Sequence, residues 1–169
     1  MLDRKIIYLS CIASLFIGCA QQNIRVMPDI NLLNETVRPL ECKIHYDGSN
    51  KEYLPRLLQD SKESQIGASY QYDVRYINGN TDWDGLNIWN PLLIVGFPMS
   101  EESVIVEAKC ELKDKEIVVK TFEASCIANK TRNLFQNSGS SEPRKACLLA
   151  VRDNIDQQIK HYQKESLHE

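Results

Sequence analysis

Long apolar stretches are missing from this 169-residue chain: the longest, Ile6–Ile17, is twelve residues with two serines in it. A membrane-spanning helix needs about 20, so a spanning protein is not expected. Histidine is scarce too. His45, His161 and His168 are the only three, none in a metal-ligand spacing, and His-Glu-x-x-His, the phosphate-cradling Walker loop and the Gly-x-Ser-x-Gly elbow are all absent. With no such motif, the expectation is a protein without catalysis, cofactor or metal. Positive charge is not in excess: 20 Lys and Arg stand against 23 Asp and Glu, a net charge of −3, with no basic stripe. Nucleic acid is therefore excluded as the expected partner.

What is present is concentrated at the start. Arg4 and Lys5 precede the Ile6–Ile17 run, and Gly18-Cys19 closes it, the order of a secretory signal. The segment Leu15-Phe16-Ile17-Gly18-Cys19 resembles the lipobox of bacterial lipoproteins, with Phe16 where Leu is commonest. The resemblance implies lipidation of Cys19 on sulfur and, after cleavage of a signal covering 1–18, on the new amine. Ala20 replaces the Asp that retains enteric lipoproteins at the inner membrane, which implies the periplasmic face of the outer membrane. Two or more acyl chains make such anchoring stable, at about 0.8 kcal/mol per buried methylene. Residues 19–36, polar and carrying Pro28, read as a lipidated flexible tether, and 37–165 as a single domain.

Four cysteines follow the anchor: Cys42, Cys110, Cys126 and Cys147. In an exported protein an even number reads as disulfides, and their wide spacing argues against zinc. Apolar alternation places strands at 37–46 and 68–77 and a hairpin at 104–112 and 116–126 turning at Asp114-Lys115. That turn would set Cys110 opposite Val119 and Cys126 opposite Ser103, too far apart to bond. Cys42 with Cys110 and Cys126 with Cys147 is the preferred pairing.

Helical spacing appears twice. Tyr53, Leu54, Leu57 and Leu58 suggest a helix over 51–63 with Pro55 in its first turn, and Cys147, Ala150, Val151, Ile155, Ile159 and Tyr162 suggest another over 142–163. The run Pro91–Met99 is either a short strand or a core-plugging loop. The expected fold is α+β: a small antiparallel or mixed sheet with two helices on one face, in the order β-α-β-(β)-β-β-α. In element order alone this is similar to the globular domains of envelope lipoproteins such as the outer-membrane activator of a penicillin-binding protein and the amino-terminal domain of the Tol-system propeller protein.

Trp83 and Trp89, with Phe97 in the apolar run behind them, form the candidate binding surface, since Trp anchors are enriched at hot spots. The competing readings are a cover over the core and a patch that dips into the membrane. Asn80-Thr81-Asp82-Trp83-Asp84-Gly85 opens like a calcium loop, but Pro91 stands where its bidentate Glu belongs, so an ordinary turn is the better reading. Lys130-Thr131-Arg132 and Arg144-Lys145 form a small basic cluster. The function expected is a non-catalytic envelope interaction or assembly protein, partnered by the membrane through its lipid and by another envelope protein. An inhibitor of a periplasmic enzyme, in the manner of lysozyme inhibitors, is the alternative, and a periplasmic hydrolase comes third.

Overall fold

A computed structural model describes residues 22–78, 100–132 and 141–166. It contains β1 (Gln22–Met27), β2 (Leu40–Tyr46), a 3-10 turn at Lys51–Tyr53, β3 (Leu58–Asp60), β4 (Ile66–Asn78), β5 (Ser100–Asp114), β6 (Ile117–Arg132) and one helix, α1 (Ser141–Ser166). The strands form one sheet in the order β1-β6-β5-β4-β2-β3, curled into half a barrel. The pairs β1–β6, β6–β5 and β5–β4 are antiparallel, whereas β2 is parallel to both β4 and β3.

Side-chain parity organises the molecule. Even-numbered residues in the middle of the long strands, among them Tyr70, Val106, Cys110, Phe122 and Cys126, form one buried core with Cys147, Leu148, Val151, Ile155 and Ile159 of α1. Odd-numbered residues make the other, open face, charged and polar around Asp73, Glu107, Lys109 and Glu123 and apolar at Ile77, Ile105 and Ile127. α1 runs antiparallel to β6: Cys147 bonds Cys126, and further on Tyr162 stacks edge-on against Phe122. The helical stripe expected over 142–163 is this one.

The second expected helix does not form, and the fold is mostly sheet with one helix in place of the two-helix α+β arrangement. Its segment makes the 3-10 turn and then β3, which pairs with β2. The reason is Pro55, whose ring pushes the preceding residue out of the helical region; Leu54 accordingly sits at φ −73 and ψ 138. Tertiary contacts complete the correction, because the amides of Arg56 and Leu57 donate to the Asp156 carboxylate at 3.1 and 3.0 Å. Losing one helix also removes the element order on which the likeness to the two envelope domains rested.

The hairpin register differs too. The turn lies at Lys115-Glu116, both with positive φ, and a bulge at Val119 follows it. Cys110 therefore faces Phe122 rather than Val119, and Cys126 faces Val106 rather than Ser103. The stretch 19–36, expected as a tether, is structured from residue 22 onward. Gln22–Met27 pairs with β6, and the strap that follows lies along α1. There Asn154 donates to the Pro28 carbonyl, the Leu33 amide donates to Gln157, Lys160 donates to the Leu33 carbonyl, and Gln163 donates to that of Arg38.

Asp156 carries a pH signature. Burial raises its pKa above the ordinary carboxylate value, opposed by the two amide hydrogen bonds. A folded pKa above the unfolded one means that folding favours the protonated form. The contribution is fully present below the unfolded value, about pH 4, and is lost as pH rises through the folded pKa. Asp156→Asn is expected to remove this decline, so that urea unfolding from pH 3 to 7 shows a flatter stability profile than wild type. Asp156→Ala leaves two amides without their acceptor and is expected to cost about 1–3 kcal/mol.

Candidate functional site

The open face holds a groove of about 930 Å³ across β4, β5 and β6, walled at the sheet edge by Met27, Pro28 and Asp29. Asp73, Glu107, Lys109 and Glu123 line it, and they belong to a lattice of charges that continues along the open face beyond the groove. Arg75 pairs with Asp73 at 3.4 Å and also with Glu107, and Lys109 lies 2.9 Å from Glu111 and 3.9 Å from Glu123. Lys113 completes the row at 3.1 Å from Glu111. The hydrogen bond from Lys109, followed by that from Lys113, holds Glu111 below the usual carboxylate range; the same bond raises Lys109. Glu111 and Lys109 thus stay ionised at neutral pH. These pairs are solvent-exposed, and each is weak alone.

The buried face offers different chemistry. Cys126 and Cys147 form a disulfide with Cα atoms 5.4 Å apart. Cys42 and Cys110, expected to pair, are buried free thiols. Register explains why: Cys110 lies opposite Tyr70, Tyr70 opposite Tyr46, and Cys42 four residues before Tyr46. Their Cα atoms are thus offset by roughly 13 Å along the strands alone, beyond the ~7 Å limit of a bridge. Burial is the chief cause pushing Cys42 up to about 11 and Cys110 up to about 12. Both shifts favour the protonated thiol, the less reactive form.

Other expected site residues fall as follows. Cys19 lies outside the described residues, as do Trp83, Trp89, Phe97 and the Asn80–Gly85 loop. The basic cluster divides: Lys130 is buried against Glu142 at 3.5 Å, while Lys145 pairs with Glu52 across the 3-10 turn. His45 is exposed on β2, and His161 donates to the Asn31 carbonyl of the strap. Among the described residues no cluster of acidic, Cys and His side chains could hold a metal, and no helix is long and apolar enough to cross a membrane. The groove wall at Met27–Asp29 was missed because its segment reads as tether. The alternation of Ile24 and Val26 with Asn23 and Arg25 was the signal that could have found β1.

No protein-family model matches the chain, and no curated protein is similar to it in sequence.

Proposed function

We propose that this chain is a lipoprotein held by Cys19 at the periplasmic face of the outer membrane, where its domain acts as a non-catalytic interaction or assembly partner of another envelope protein. The observation that carries this reading is the lipobox-like segment ending at Cys19, followed three residues later by Gln22, the first residue of β1. Three peptide units reach at most about 11 Å, so a lipid on Cys19 keeps the sheet against the bilayer and not on a long leash. The Cys126–Cys147 bridge fits an oxidising compartment. The charge-paired groove supports recognition of a polar, extended segment of a partner.

The test is palmitate labelling and membrane fractionation of the full chain against Cys19→Ala. Loss of label and release from the outer-membrane fraction are the expected results. Unchanged labelling would overturn the anchor.

A further inference from the structure

β4 is paired along its whole length by β5, but on its other side β2 covers only Gly67–Tyr70. Among the described residues, the backbone groups of Gln71–Ile77 on that side have no strand partner. Exposed edges of this length are normally covered, because they template pairing with another chain. The edge also leaves apolar surface open, with Tyr76 49% exposed and Ile77 52%, and its two charges, Asp73 and Arg75, are of opposite sign.

The edge is complementary to itself. Tyr72-Asp73-Val74-Arg75-Tyr76 keeps its pattern in reverse, with opposite charges exchanged about Val74. Two such strands laid antiparallel with Val74 on the axis set Asp73 of one copy opposite Arg75 of the other, and Tyr72 opposite Tyr76. Residues directly opposite share a face, so the charges meet on the open face and the tyrosines on the helix face. The partners are also available. Arg75 and Asp73 side chains are 56% and 70% exposed, and a guanidinium that already reaches Asp73 and Glu107 has donors to spare. Tyr72 is held in place by Tyr46, Tyr53 and Tyr70, with ring centroids 6.2–6.4 Å away. It offers a rigid platform to an incoming ring.

We infer that this edge binds a second copy of the same chain, joining two half-barrel sheets into one continuous sheet through a twofold axis at Val74. The axis stands perpendicular to the sheet. Both copies of Gln22 therefore lie at one height along it, and two lipid anchors reach a single bilayer. The dimer itself does not depend on the lipid, so it can fail or hold independently of the anchor.

Cysteine crosslinking in isolated membranes with an added oxidant tests this inference. Val74→Cys sets two cysteines across the axis at about 4.5–5.5 Å between Cα atoms, within disulfide range. A band of doubled mass on a non-reducing gel is expected. Tyr76→Cys faces Tyr72 of the other copy, and its own counterpart lies about 13 Å away along the strands, so it is expected to stay monomeric. In the Val74→Cys background, Arg75→Asp is expected to reduce the band at least tenfold, and adding Asp73→Arg to restore it. Sedimentation of the wild-type chain in detergent, expected to give a dimer, covers the case in which a variant fails to fold. A monomeric wild type, equal crosslinking through Tyr76→Cys, or a band indifferent to charge reversal would each overturn the proposal.

Discussion

Replacing Cys126 and Cys147 together by alanine is expected to lower the unfolding free energy by about 3 kcal/mol. The bridge closes a loop with a sequence separation of 21, and constraining a loop of that length in the unfolded chain is worth roughly this amount. Position adds to the effect. Both cysteines are fully buried, and the bond joins the first third of α1 to the middle of β6, directly over Val106. Without it, α1 is held to the sheet by packing and by its hydrogen bonds to the strap. The measurement is urea unfolding of wild type with and without reductant beside the double variant. Reduced wild type and the double variant should coincide, and an unshifted midpoint in both would show that the bridge constrains little.

Phe122→Ala is expected to cost about 3–5 kcal/mol, the sum of lost transfer energy and a cavity that its neighbours only partly fill. Phe122 is 2% exposed, lies opposite Cys110 on β5, and sets its ring 5.8 Å from that of Tyr162 on α1. Five residues earlier on the same strand, Ile117 is 72% exposed beside the turn, and Ile117→Ala is expected to stay within about 0.5 kcal/mol. The contrast is read from denaturant midpoints at unchanged slope. Equal costs at the two positions would contradict the packing of α1 across β6.

Legibility in the sequence followed the range of the forces involved. α1 was legible because its apolar stripe repeats without interruption after Pro143. β4 and the two hairpin strands were legible because polar and apolar residues alternate through their middles, Gln71–Arg75, Val106–Leu112 and Thr121–Cys126. Register was not. Lys115 and Glu116 adopt φ of 48 and 75 without the Gly or Asn that usually marks such a turn, and Asp114 drew the reading one residue early. The bulge at Val119 then shifts every later pair, and no local pattern encodes it. The segment 51–63 has helical spacing, yet the backbone restriction imposed by Pro55 and the pull of Asp156 from the distant helix override it. The charge lattice was legible only in fragments: Asp73 and Arg75, or Glu107, Lys109 and Glu111, read as solvent-facing sides of separate strands. Their convergence is a property of the sheet order.

Chain order carries a consequence for how this molecule is made. The strap binds α1 across sequence separations of 124 to 127, and β1 pairs with β6 about a hundred residues away. β1 has nothing to pair with until β6 has arrived, and the strap nothing to dock on until most of α1 has. Such non-local closure raises contact order and slows folding. During vectorial delivery the β4–β5–β6 meander can form first, with β1 and its strap waiting as the final piece. A chain truncated before Ser141 loses its helix and, with it, the surface that captures its own beginning.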